Sequence, residues 1–219
     1  MSEHRHEVGR SSLWGKVFAA GYDRLMASSE KAGLIAHREA LVPRASGRVI
    51  EIGGGTGANL PYYGEAVTEL VLTEPEEPMA KRLERNVAAR GIPARVTREP
   101  AENLSREQDG SFDFAVSTLV LCTVEDQARA LGEVHRLLKP GGQLLFMEHV
   151  RAGEGQRLGR WQDRFNFIQL RLAHGCNCNR NTVRGIEQAG FTVSELEETT
   201  FPKGPPVVRP LVVGVAQRA

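Results

Sequence analysis

Apolar residues along the chain alternate between two kinds of pattern. Compact runs rich in Val, Ile, Leu and Phe occur near 48–52, 70–73, 94–97, 112–118, 143–150, 191–196 and 208–215. Each has strand length, and such unbroken runs suit strands buried on both faces. Between them the spacing changes to that of helices. Leu13, Trp14, Val17 and Phe18 open a helical stretch to about Leu41, punctuated by Pro43 and Gly47. Met79, Leu83 and Val87 predict a helix over 75–90 that ends at Gly91. Thr123 and Asp126 read as the two ends of a capping box. The helix they open carries Ala128, Leu131, Val134 and Leu138 inward and is stopped by Pro140-Gly141-Gly142. Residues 151–175 break the rhythm and predict a helix with Leu158, Trp161, Phe165, Ile168 and Leu172 on one stripe. A short helix over 181–188 ends at Gly190, and the last two strands flank a Pro/Gly-rich loop at 201–206.

Strands alternating with helices imply right-handed crossovers and a largely parallel sheet covered on both faces, an α/β domain. Residues 1–42 read as a tail and helical cap, 43–219 as the domain proper, and 151–178 as a helical lid inserted in it. The 219-residue length suits such a domain. Lys plus Arg number 28 against 27 Asp plus Glu, a net charge of +1. That balance speaks against nucleic acid as the partner. No apolar run reaches the roughly 18 residues of a membrane span, and residues 1–12 are polar, without a signal-like core. The three cysteines, Cys122, Cys176 and Cys178, make no disulfide framework. The expected setting is a reduced cytoplasm.

The chemistry concentrates in Glu51-Ile52-Gly53-Gly54-Gly55-Thr56-Gly57-Ala58, where the first strand ends. Glycines there let the backbone approach a ligand without Cβ clashes. Glu74, at the end of the next strand, is placed to accept both hydrogen bonds of a ribose diol. Loop and acid together predict a nucleoside-containing cofactor. Gly53-x-Gly55-x-x-Ala58 formally matches a dinucleotide fingerprint. Against it, Glu51 places a carboxylate where a pyrophosphate would be repelled and a cationic ligand favoured, and Pro61 breaks the following helix. A P-loop is excluded, because no Gly-Lys-Ser/Thr follows. A purely structural glycine turn is the remaining alternative.

The residues from Glu51 to Gly57 resemble the first motif of class I S-adenosylmethionine-dependent methyltransferases. Glu74, Ser111-Phe112-Asp113-Phe114 and Leu138-Lys139-Pro140-Gly141-Gly142 resemble later motifs in the same order. Within that superfamily Ser117-Thr118-Leu119-Val120-Leu121-Cys122, Phe146-Met147-Glu148-His149-Val150, Gly175-Cys176-Asn177 and Val208-Arg209-Pro210 resemble the alkyl-thiol S-methyltransferases. Animal members of that family carry an N-terminal membrane anchor, where this chain begins polar. The resemblance implies a Rossmann-like, seven-stranded, mostly parallel sheet whose last strand pair is antiparallel. It implies S-adenosyl-L-methionine as cofactor and a small-molecule acceptor, with a thiol favoured. For the cofactor it implies that Gly53, Gly55 and Gly57 cradle the methionyl part, with Glu51 and Asn59 beside its ammonium. Glu74 and Pro75 then lie at the ribose, Ala101 and Glu102 at the adenine, Thr118 and Leu119 near the methionine end, and Tyr22 in the closing cap. Glu99-Pro100 stands where relatives often have Gly-Asp, so the adenine amine falls to Glu102 or to a backbone carbonyl.

Methyl transfer needs alignment more than bond activation. A base is needed only where the acceptor arrives protonated. His149, at the end of the fifth strand, is the candidate base. Glu148 is its neighbour, and strand alternation turns only one of the two to the cavity. His174 is a further catalytic or pocket candidate, although relatives have an acidic residue there. Trp161 and Phe165 are candidates for the acceptor pocket. His174, Cys176 and Cys178 are too tightly spaced for a zinc site, and no metal is expected. Residues 151–180 hold six Arg against two acids, a solvated face or a weak contact for an anionic membrane surface. Methylation of N, O or C in a lipid or quinone is the alternative reaction. A cofactor-binding module without turnover is the alternative class.

Overall fold

The structure is a computed structural model and describes residues 26–153, 155–172 and 176–219, with side chains given except at 167–172. Tyr22, His174 and residues 13–25 of the first expected helix therefore lie outside the described residues. The strands are β1 (Gly47–Ile52), β2 (Val67–Thr73), β3 (Ala94–Thr97), β4 (Phe112–Thr118), β5 (Leu138–His149), β6 (Phe191–Thr200) and β7 (Pro210–Arg218). The helices are α1 (Ile35–Leu41), α2 (Glu77–Arg90), α3 (Gln127–Leu137), α4 (Arg157–Leu172) and α5 (Thr182–Gln188). A π turn, Glu30–Leu34, leads into α1.

The strands form one sheet in the order β3-β2-β1-β4-β5-β7-β6. Pairing is parallel from β3 to β5, and β7 runs antiparallel to both β5 and β6. This is the Rossmann-like fold of class I methyltransferases, with seven strands and an antiparallel final pair. Alternation along each strand sends side chains to two cores. Ile50 and Ile52 of β1 join Leu131, Val134 and Leu137 of α3 and Ile186 of α5. Val49 joins Leu41 of α1 and Leu83 and Val87 of α2 on the other face. Burial on both faces is why the strands read as unbroken apolar runs.

Several elements differ from expectation. Helix α3 begins at Gln127, because Asp126 is itself the N-cap and accepts from Arg129 N at 3.0 Å. Thr123 lies in the preceding turn, where its Oγ1 donates to Val120 O at 2.8 Å. Strand β5 starts at Leu138 and absorbs Pro140-Gly141-Gly142 as an irregularity between two stretches paired with β4. Helix α4 starts at Arg157. Its buried face carries Gly159 and Gln162, while Trp161 is 57% exposed. The expected stripe is therefore turned away from the protein at Trp161.

Gly214 of β7 packs where β6 is irregular between Val193 and Glu195. A Cβ there would stand 2.5 Å from Glu195 O and 2.6 Å from Phe146 Cζ. One of these is backbone and the other a buried ring, so neither yields cheaply. Gly214→Ala is expected to lower stability by about 1–3 kcal/mol, read as a reduced midpoint in denaturant unfolding with an unchanged slope.

Candidate active site at the carboxyl edge of the sheet

The chain proceeds from β1 outward to β2 and β3, then returns to the other side of β1 with β4. The loops after β1 and β4 thus diverge above a crevice at the strands' carboxyl ends, the place where such sheets bind ligands. Here the loops touch. A Cβ on Gly53, whose φ is +60°, would lie 2.6 Å from Val120 Cγ2. Only a residue without a side chain permits that approach.

Gly53 N donates to Thr73 Oγ1 at 3.2 Å and Gly54 N to Thr73 O at 2.8 Å, which tie the loop to the end of β2. Gly57 N turns back onto Gly54 O at 2.9 Å. No α-helix follows; residues 60–62 form a single 3₁₀ turn around Pro61. Glu74 accepts from Gly55 N and from Glu76 N, both at 2.9 Å. Pro75 has no N–H, so the next donor in line is that of Glu76. Gly55 itself meets nothing within 4 Å in its Cβ direction. The loop therefore offers open space directly beside a buried carboxylate.

Glu51 is buried at the end of β1. Its oxygens accept from Asn59 Nδ2 at 2.9 Å and Tyr63 OH at 2.6 Å. Arg38 of α1 donates to Asn59 Oδ1 at 2.6 Å and Thr118 Oγ1 at 3.1 Å. The same guanidinium grips Glu30 at 2.9 and 3.2 Å. Thr118 Oγ1 also accepts from Asn59 Nδ2 at 3.0 Å. Burial pushes the Glu51 carboxyl up to about 7, against the opposing pull of its two hydrogen bonds and of Arg38. Arg38 and Tyr63 were not expected at the site. Arg38 did leave a trace in the sequence, since it stands between Leu34 and Leu41 on the inward side of a helix, where a charge is out of place.

Beyond β4, Leu119 adopts a φ of +62°, uncommon for a side chain of its size. Its N–H donates to Met147 O at 2.7 Å. Glu148 holds the loop that follows. It accepts from Ser117 Oγ at 2.7 Å, Val120 N at 3.0 Å and Cys122 N at 3.3 Å. Both carboxylate oxygens are thus engaged within the chain, which makes Glu148 a positioning residue for this loop. Burial raises its carboxyl to about 7. His149 points the other way, tilted against Phe201 with ring centroids 4.7 Å apart. It is buried, and its Nδ1 has no hydrogen-bond partner among the described residues. Burial depresses its basicity, partly offset by the Cys176 sulfur and the backbone of Val208 and Pro210. The ring is consequently neutral near pH 7, with a nitrogen able to accept a proton.

Ala101 is buried in the core face below α3. Glu102 Oε1 is engaged by the backbone N–H groups of Glu125 at 2.8 Å and Asp126 at 3.4 Å. Trp161 and Phe165 stack on each other, 4.9 Å apart and 15° from parallel. Helix α4 is held by Asp163 to Arg151, by Asn166 to Asn177 and, through the most bonds, by Gln162, another residue that was not expected. Its Nε2 donates to the carbonyls of Val150, Cys178 and Val207 at 2.9–3.1 Å, and its Oε1 accepts from Ala152 N at 2.7 Å. Among the described residues no group of His, Cys, Asp and Glu is arranged to hold a metal ion, and no helix is long and apolar enough to cross a membrane.

Glu51, Glu74 and Glu148 all sit near 7 because burial disfavours their charge. An unfolded glutamate titrates near 4.3. Between about pH 4.5 and 7 these three carboxyls hold more protons in the native protein than in the unfolded chain, so their contribution to stability falls as pH rises. Glu51→Gln keeps a carbonyl for Asn59 and removes one of the three titrations. Between about pH 4.5 and 8 the thermal midpoint of the ligand-free variant, relative to that of the parent, should rise with pH. An identical slope would exclude Glu51 from the effect.

The description "Methyltransferase domain" matches residues 22–196. The chain is 33% identical over 201 residues to thiol S-methyltransferase TMT1A of Homo sapiens, covering 91% of this chain and 82% of that protein. It is 36% identical over 174 residues to human thiol S-methyltransferase TMT1B, covering 78% and 69%. Among solved structures, a Thermotoga maritima protein described as an S-adenosylmethionine-dependent methyltransferase, possible histamine N-methyltransferase, superposes with a TM-score of 0.69 at 25% identity, covering 93% of this chain and 98% of that one. With a family match across most of its length and the fold to accompany it, the chain belongs to the methyltransferase-domain family.

Proposed function

We propose that the protein transfers the methyl group of S-adenosyl-L-methionine to the sulfur of a small-molecule thiol. The observation that carries the acceptor is the likeness, over 91% of the chain, to a relative named for thiol S-methylation. The fit of the cofactor rests on the site itself. The open side of Gly55 admits a ligand against the loop backbone, and Glu74 stands beside it to accept from a ribose diol. When bound, the cofactor supplies an electrophilic methyl group already activated on a sulfonium.

The chain's own residues bind and orient. Gly53, Gly55 and Gly57 follow the methionyl part, and Glu51 with Asn59 borders its ammonium. Pro75 and Ala101 flank the nucleoside, with Glu102 near the adenine. Thr118 and Leu119 border the methyl end, and Trp161 and Phe165 border the acceptor. Tyr22 and His174 complete the cap and pocket in this reading. His149, held neutral by burial, takes the proton of an acceptor thiol at Nδ1. A free thiol titrates near 8.5, so at neutral pH most of it arrives protonated.

Incubation with labelled S-adenosylmethionine and panels of thiols, phenols, amines and lipids tests the reading. Label on thiol sulfur is expected, and label confined to an amine, phenol or lipid would overturn the acceptor. Glu74→Ala is expected to weaken cofactor binding by about 10- to 100-fold, the loss of charge-assisted hydrogen bonds. In the parent the rate should fall on acidification as His149 protonates. His149→Ala should lose that limb and follow acceptor ionisation alone; an unchanged profile removes the histidine from proton transfer.

A further inference from the structure

All three cysteines meet in one buried cluster, with Val208 packed against it. Cys122 comes from the loop after β4, and Cys176 and Cys178 from the segment between α4 and α5. The two loops are pinned together by Asn177 N donating to Cys122 O at 2.7 Å and Arg180 Nη1 donating to Leu121 O at 2.7 Å. The sulfurs of Cys176 and Cys178 stand 3.2 Å apart, and the Cys122 thiol lies within hydrogen-bonding reach of Cys176. Bond formation between the first two asks for roughly 1 Å of approach.

The three thiols are not equivalent. Cys176 is 7% exposed, whereas Cys122 and Cys178 are each 1% exposed. Hydrogen bonding with Cys122 and Cys178, with the Arg180 guanidinium nearby, holds the Cys176 thiol well below its usual range, while Cys178 is pushed up by its hydrogen bond to Cys176 and by burial. That asymmetry separates an attacking sulfur from a resolving one. Methyl transfer as proposed above uses none of these sulfurs.

We propose that Cys176 and Cys178 form an exchange-active dithiol that reacts with small organic disulfides. The Cys176 thiolate attacks one sulfur of a disulfide RSSR. A Cys176–SR bond forms, the RS–SR bond breaks, and RS⁻ leaves. Cys178 then attacks the Cys176 sulfur, expelling the second RS⁻ and closing a Cys176–Cys178 disulfide. The two thiol protons leave with the two thiolates, so protein dithiol and RSSR become protein disulfide and two RSH. Cys122 acts as a positioning residue that donates to the attacking thiolate. The closing bond moves Cys178, whose carbonyl accepts from Gln162 of the lid helix.

The test mixes the reduced full-length protein with 2-hydroxyethyl disulfide and no methyl donor, so its outcome is independent of the methyl acceptor. Intact mass should fall by two hydrogens while two thiols per chain are released. Cys178→Ser should stop at a mixed disulfide mapped to Cys176, and Cys176→Ser should slow the reaction by about 100-fold. Iodoacetamide offered to the folded parent at pH about 6 should label Cys176 first, a readout that needs no variant. The proposal is overturned if the folded protein stays reduced under conditions that oxidise it in urea. It is likewise overturned if the adduct maps to Cys122 or Cys178, or if iodoacetamide spares Cys176.

Discussion

A carboxylate buried at the end of a central strand must be given hydrogen-bond donors or be neutralised, and Glu51 is satisfied by residues from elsewhere in the chain. Tyr63 and Asn59 come from beyond the glycine loop. Asn59 in turn is held by Arg38 of α1, which also reaches Thr118 at the end of β4. One desolvated acid thereby ties together the first strand, the turn after the loop, the cap-side helix and the neighbouring strand. The glycine loop spans this frame and is fixed at both ends, at Gly53 by Thr73 and beyond Gly57 by Asn59.

The end of β5 shows how strand alternation divides labour. Glu148 turns toward β4 and fastens the loop that contains Val120, the residue packed against Gly53. His149 turns to Phe201, and its buried Nδ1 has no hydrogen-bond partner among the described residues. Adjacent residues at the end of one strand thus face different surroundings, as alternation requires. One fastens the loop after β4, and the other buries its ring against Phe201.

The sheet was legible because parallel strands covered on both faces must be almost wholly apolar, and their runs stand out. Glu74 was legible because its place at the end of β2 follows from topology. Tyr63 and Gln162 were not, because each works through hydrogen bonds to distant parts of the chain that local patterning does not encode, and Arg38 shows in the sequence only as a charge on an inward helix face. Helix α4 illustrates the point. The apolar stripe with Trp161 and Phe165 gives a helix but not its seating, which comes from the adjacent Gln162, an amide with four backbone partners. The start of α3 was misplaced for a smaller reason. Both Thr123 and Asp126 suit a cap, and the hydroxyl of Thr123 is taken by its own turn.

Gln162 holds α4 through one amide that bonds main-chain groups of four residues. Main-chain groups are present whatever side chains a sequence carries. The bonds made by Gln162 are therefore insensitive to side-chain substitution around them, whereas the exposed Asp163 of the same helix depends on the side chain of Arg151. Trp161, exposed on this helix and stacked on Phe165, can therefore vary without disturbing the bonds that seat the helix.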